Sequence, residues 1–74
     1  SVRMREIFGE ALRVDASGMI LAHSHPSGHC QPSGCDIAAT RRLAEVANAL
    51  DIMLVDHLIF TNAAVYSMRA GGLL

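Results

Sequence analysis

Four consecutive apolar residues, Met19-Ile20-Leu21-Ala22, run directly into His23-Ser24-His25-Pro26. A short unbroken apolar run of this kind predicts a strand buried on both faces, as in a parallel or mixed sheet covered by helices. The flanking segments supply the helices. From Arg3 to Val14, the residues Met4, Ile7, Phe8, Ala11 and Leu12 recur at i, i+3, i+4, i+7 and i+8, the pattern of an amphipathic helix. Its polar face carries Arg3–Glu6 and Glu10–Arg13 pairs at i, i+3 spacing. A second helix is predicted from about Asp36 to Leu50, with an inner stripe of Ile37, Leu43, Val46, Ala47 and Leu50 and with Arg41, Arg42 and Glu45 outward. Asp51 stands at its stop, where Asp tolerates the left-handed conformation better than most residues but less well than Gly. Ile52 to Phe60 reads as a second strand interrupted by Asp56-His57. Thr61-Asn62 makes a turn, and Val65 to Met68 is a third strand, a hairpin partner of the second. Ala70-Gly71-Gly72 reads as a fraying tail, and Met4, Met19, Met53 and Met68 as core filler. The order α-β-α-β-β predicts an α/β layer structure.

Size and charge narrow the function classes. The chain has 74 residues, which is one small domain, and a chain near 60 residues buries only about 60% of its unfolded surface. Apolar residues make up 51%, so a core is attainable, although Phe8, Phe60 and Tyr66 are the only aromatics. The net charge is -1, there is no Lys and there is no basic stripe. Nucleic-acid binding, which needs clustered cations to neutralise phosphates, is therefore not expected. No apolar run approaches the roughly 20 residues of a membrane span, and no signal-peptide pattern opens the chain. Two cysteines suit a reducing compartment better than a disulfide framework. A soluble, cytoplasmic protein is the expectation.

The chemistry is concentrated between Ala22 and Asp36. His23 and His25 fall just past the end of the apolar strand, where open α/β sheets place their ligand sites. In an extended segment, residues two apart point to the same side, and Pro26 keeps His25 out of the α region. The two imidazoles thus converge, as two ligands of one Zn²⁺ must. Asp36, in the first turn of the next helix, is placed to supply a third ligand, leaving a fourth position for water, as in catalytic zinc sites. Ser33-Gly34-Cys35-Asp36 also has the S-x-x-D form of a helix-capping start, a role compatible with the first.

His23-Ser24-His25-Pro26, followed by Ser33-Gly34-Cys35-Asp36, resembles the JAMM (MPN-type) zinc metallopeptidase motif. The segments "REIFGEAL" at 5–12, "ILAHSHPSG" at 20–28, "PSGCDIAATRRL" at 32–43, "LVDHLIF" at 54–60 and "VYSM" at 65–68 are similar to the bacterial RadC-like branch. The resemblance covers essentially the whole chain. It implies His23, His25 and Asp36 as zinc ligands and Ser33 as the catalytic hydroxyl that hydrogen-bonds a developing oxyanion. It implies a three-layer αβα sandwich related to the cytidine deaminases, and hydrolysis of a peptide or isopeptide bond. The family name refers to DNA repair, which the composition does not support. The family's general-base glutamate lies on a strand well upstream of the H-x-H, and this chain starts too late to contain it. Glu6 and Glu10 match other family positions. Residues 1–74 are thus expected to form a single RadC-like unit, a partial αβα sandwich lacking its N-terminal strands. Such a unit should be catalytically poor alone and should self-associate as a homo-oligomer through its uncovered strand edge. Cys30 and Cys35 depart from the family pattern.

Two other readings remain open. A structural zinc knuckle would use His23, His25, Cys30 and Cys35 in a closed site, with Asp36 only a cap. A non-catalytic interaction module would need no metal chemistry. A zinc deaminase is disfavoured, because neither H-x-E nor P-C-x-x-C occurs. His57 with Asp56 reads as a structural hydrogen-bonded pair rather than a ligand, and His29 as a solvated loop residue.

Overall fold

The computed structural model describes residues 3–25 and 31–74. The readings that fall on Pro26, His29 and Cys30 lie outside the described residues. The chain is a mixed α/β unit of two helices and a three-stranded sheet: α1 (Met4–Arg13), β1 (Gly18–Ser24), α2 (Gly34–Ala49), β2 (Met53–Phe60) and β3 (Val65–Ser67). The sheet order is β1-β2-β3, with β1 and β2 parallel and β2 and β3 antiparallel. Helix α2 is the crossover that parallel pairing of β1 and β2 requires. This arrangement is consistent with part of an αβα sandwich.

Both helices end in the same way. Asp15 and Asp51 have φ of 54° and 58°. After α1, the N–H of Ala16 donates to the Ala11 carbonyl at 2.9 Å and that of Asp15 to Leu12 at 3.1 Å. After α2, the Ile52 N–H donates to Ala47 at 2.8 Å and the Asp51 N–H to Asn48 at 3.1 Å. These are paired Schellman stops, with aspartate in the left-handed place that glycine usually takes.

The core lies between the helices and one face of the sheet. Phe8 and Ala11 of α1, Leu43 and Ala47 of α2, and Ile52 and Leu54 at the start of β2 form one buried cluster, with Met19 and Leu21 of β1 packed against it. The opposite sheet face is open. Ile20 is 58% exposed, so β1 is not buried on both faces as its unbroken apolar run predicts. The cause is one-sided covering: residues on the helix face of β1 are half-buried and those between them are exposed. Met53, expected in the core, is exposed for the same reason, and Leu50 lies on the solvent edge of the α2 stripe.

Strand β2 is continuous through Asp56-His57 rather than broken there. The irregularity is a bulge. Met19 pairs with Leu54 but Ile20 pairs with Asp56, so Val55 is the extra residue. The bulge shifts the side-chain phase by one, so Leu54 and His57, three apart, both face the helices. Arg69 binds the bulge carbonyls, through Nη2 to Leu54 at 3.0 Å and through Nε to Val55.

The C-terminal segment is folded back rather than frayed. The N–H groups of Gly71, Gly72 and Leu73 donate to the carbonyls of Ser67, Arg69 and Met68, and Leu74 packs against the core cluster. Gly71 lies directly against the Tyr66 ring, with no room for a Cβ.

Candidate metal centre

The site is built at the end of β1 and the start of α2. Because β1 alternates, His23 turns to the helix-covered side with Leu21, and His25 follows two residues later. The His25 N–H donates to the Phe60 carbonyl at 2.9 Å, extending the parallel ladder past the end of β1 and holding the backbone extended. Ser33 caps α2. Its Oγ accepts from the Asp36 N–H at 3.1 Å, and its own N–H donates to Asp36 Oδ2 at 2.9 Å, a complete capping box. The capping box fixes the Asp36 carboxylate beside the histidines.

His25 Nε2 lies 3.4 Å from Asp36 Oδ2, and His23 Nε2 lies 4.0 Å from Asp36 Oδ1. One donor atom from each of His23, His25 and Asp36 falls within 4.8 Å of the others. Two ligands bound at about 2.0–2.1 Å to a tetrahedral zinc are roughly 3.4 Å apart, so the three residues fit such an ion after a small contraction. Both nitrogen donors and the carboxylate are ligand types that zinc takes. Cys35, on the exposed side of the first turn of α2, does not join this group.

The Asp36 carboxyl is held below its ordinary pKa. The Ser33 backbone N–H is the main cause, with the Ser33 hydroxyl and the two imidazoles adding to it against the opposing effect of burial. Asp36 is therefore ionised, the form that binds a cation.

His57 hydrogen-bonds Asp56 as the sequence suggested, but only through its backbone N–H, and it is not one of the three candidate ligands. Its imidazole does not pair with the Asp56 carboxylate, because the two side chains leave β2 on opposite faces. Asp56 accepts from the backbone N–H groups of His57 and Arg69 and from the Ser67 hydroxyl. His57 instead points under the candidate site. Its Nε2 lies 2.7 Å from His23 Nδ1, and its Nδ1 lies 2.7 Å from Thr40 Oγ1. Thr40 Oγ1 in turn donates to the Asp36 carbonyl at 2.7 Å. Burial lowers the His57 pKa, and the neighbouring His23 lowers it further. Two signals for this were present in the sequence. Thr40 falls on the 36-40-43-47 stripe of α2, and the apolar alternation of β2 changes phase at Val55-Asp56.

A cavity of about 450 Å³ adjoins the site. Ile7, Leu21, Ala39 and Leu43 form its apolar wall, and His23, Asp36, Thr40 and His57 its polar end. An apolar pocket with a few convergent polar groups is the usual form of a ligand site. Glu6 and Glu10 lie away from it, exposed on α1 beside Arg3 and Arg13. Among the described residues, no helix is long and apolar enough to cross a membrane.

Known proteins match this sequence along almost the whole chain. A UPF0758 protein of Bordetella avium is 47% identical over 74 residues, covering 100% of this chain and 33% of the relative. One from Roseiflexus castenholzii is 44% identical over 72 residues, covering 97% of this chain and 31% of the relative. One from Methanospirillum hungatei is 45% identical over 73 residues, covering 99% and 32%. The chain thus spans about a third of the length of the curated relatives it matches. Residues 1–73 match the model of the RadC-like JAB domain, and the chain belongs to that family.

Proposed function

We propose that this chain carries the metal-binding half of a zinc-dependent hydrolase acting on a peptide or isopeptide bond. The observation that carries the reading is the convergence of His23, His25 and Asp36 beside an apolar cavity that His23 and Asp36 help to line. Membership of the RadC-like JAB family supports it. In this reading His23 and His25 hold the ion through ring nitrogens and Asp36 through its carboxylate. A bound zinc supplies an acidified water and polarises a carbonyl. The Ser33 hydroxyl, whose lone pair accepts from the Asp36 N–H, keeps its own proton for donation to a developing oxyanion.

The three glutamates of the chain are not assigned the role of base. Glu6 and Glu10 are engaged with arginines on the outer face of α1, and Glu45 is exposed on α2. The proposed reaction needs a carboxylate base other than these three. A missing general base typically costs 10²–10⁴ in rate, so these residues alone should bind zinc and turn over slowly.

Metal analysis tests the reading. About one zinc per chain is expected, lost in both His23→Ala and His25→Ala; undiminished zinc in both variants overturns it. Cys30→Ser combined with Cys35→Ser should leave zinc bound, whereas Asp36→Ala should weaken it strongly. The knuckle reading requires the reverse, with Zn–S distances near 2.3 Å by X-ray absorption.

A further inference from the structure

Besides facing the other two candidate ligands, His23 is joined through Nδ1 to two further residues, His57 and, beyond it, Thr40. Thr40 Oγ1 lies 2.7 Å from the Asp36 carbonyl and 2.7 Å from His57 Nδ1. A carbonyl has no proton to give, so the single hydroxyl proton of Thr40 points at Asp36. The proton between Oγ1 and Nδ1 must then come from His57, whose Nδ1–H donates to Thr40. A neutral His57 protonated at Nδ1 has a bare Nε2, which can only accept. Its partner at 2.7 Å, His23 Nδ1, must therefore donate. A doubly protonated His57 would reverse the last bond, but the residue is 8% exposed and its two ring nitrogens meet an imidazole and a hydroxyl, with no carboxylate hydrogen-bonded to the ring to offset the cost of a buried charge. With its proton on Nδ1, His23 carries its lone pair on Nε2, the atom turned toward Asp36.

We infer that Thr40 and His57 are positioning residues, forming a hydrogen-bond chain that locks His23 in the tautomer whose Nε2 can bind metal. The inference rests on the metal reading above. The chain starts at the backbone carbonyl of one candidate ligand, Asp36, and ends on the ring of another, His23. It therefore fixes ring orientation and protonation together. Partners of this kind behind a ligating histidine are commonly worth 10–100-fold in metal affinity. The β2 bulge is what makes the connection: were residues 54–57 to alternate regularly, with no bulge at Val55, His57 would turn to the open sheet face. Leu21, which pairs with His57 in register, and Leu43 form the apolar wall of the cavity whose polar end this chain lines.

The test compares the unsubstituted protein with Thr40→Val, which keeps the shape and removes the hydroxyl, and with Thr40→Ser, which restores it. Long-range ¹H–¹⁵N NMR on the metal-free protein reads the His23 tautomer directly. Zinc affinity by chelator competition is the second readout, and circular dichroism checks the fold. The expected result is Nδ1–H at His23 in the unsubstituted and Thr40→Ser proteins, a mixed tautomer in Thr40→Val, and a 10–100-fold loss of zinc affinity in Thr40→Val alone. Thr40→Ala repeats the comparison should the valine variant fail to fold. A folded Thr40→Val or Thr40→Ala protein with an unchanged tautomer and unchanged zinc affinity overturns the inference. An unsubstituted protein that has the Nδ1–H tautomer but binds no zinc overturns the metal reading instead, and with it the purpose assigned to the chain.

Discussion

Helix α2 meets the sheet in two ways. At its C-terminal half, Leu43 and Ala47 pack on Ile52, Leu54 and Phe8, a contact without direction that depends on area and fit. At its N-terminal half, Asp36 and Thr40 meet His25, His23 and His57 through a network in which each donor must find its acceptor. Only one helical turn separates the two regimes. The difference teaches where each half is vulnerable. The apolar half holds the unit folded, and truncation there opens cavities. The polar half is fully satisfied, with no buried side-chain N or O atom lacking a partner among the described residues. Removing one of its members leaves another unsatisfied, so it should lose metal affinity before it loses the fold.

The largest expected break of this contrast is Leu43→Ala. Leu43 is 6% exposed in the centre of the cluster, and removing a buried leucine side chain costs about 2–5 kcal/mol. In a small domain that is a large part of the total stability. Denaturant melts should show it, while zinc affinity in the fraction that remains folded should be nearly unchanged. Equal loss of affinity and stability would mean that the two halves are not separable.

Gly71→Ala is the next largest. The added methyl meets the Tyr66 side chain, and overpacking of this kind typically costs 1–3 kcal/mol. Tyr66→Phe in the same background removes the clashing hydroxyl, and thermal melts should recover part of the loss. No recovery would place the strain in the backbone instead.

Ser33→Ala should cost about 1 kcal/mol, the usual effect of losing an N-cap hydroxyl. It also sharpens the comparison. Because the capping box positions Asp36, zinc binding should weaken along with helix stability, whereas a cap lost from an ordinary helix changes stability alone. Intact affinity in a destabilised Ser33→Ala protein would show that the backbone N–H of Ser33 suffices to place the carboxylate.

The smallest effect concerns acid. Burial tends to raise the Asp56 pKa, but the Ser67 hydroxyl, the N–H groups of Arg69 and His57, and the Arg69 charge together hold it below the ordinary value. A carboxylate with a depressed folded pKa contributes stability above its unfolded pKa of about 3.9 and loses it as pH falls through the folded value. Stability should therefore decline below about pH 4, and Asp56→Asn should flatten that slope. Asp36 is depressed in the same way, so Asp36→Asn provides the matching measurement at the polar half. A slope unaffected by either change would assign acid sensitivity to other carboxylates.

Much of the unit was legible because the features concerned are local. Helical periodicity located both helices to within about two residues at each end. The S-x-x-D spacing announced a capping box that forms as expected, and Asp51 takes the left-handed stop its chemistry allows. H-x-H spacing in an extended segment put two imidazoles on one side without reference to the rest of the chain. What the sequence by itself determined are thus the properties set within a turn or a strand, where spacing of 2.0 or 3.6 residues dictates direction. Only the tertiary structure decided the rest. Which face of β1 is covered depends on where both helices lie. Whether Asp56-His57 breaks a strand or bulges it depends on the pairing with β1 and on the grip of Arg69 on the bulge carbonyls. Whether Gly71 frays depends on Tyr66 and on the bonds that fold the last turn back. The pairing of His57 with Thr40 and His23, across 17 and 34 residues, depends on all of these together. Period-2 and period-3.6 patterns carry no information about which distant element supplies a partner, and a one-residue slip in strand phase is enough to exchange one partner for another.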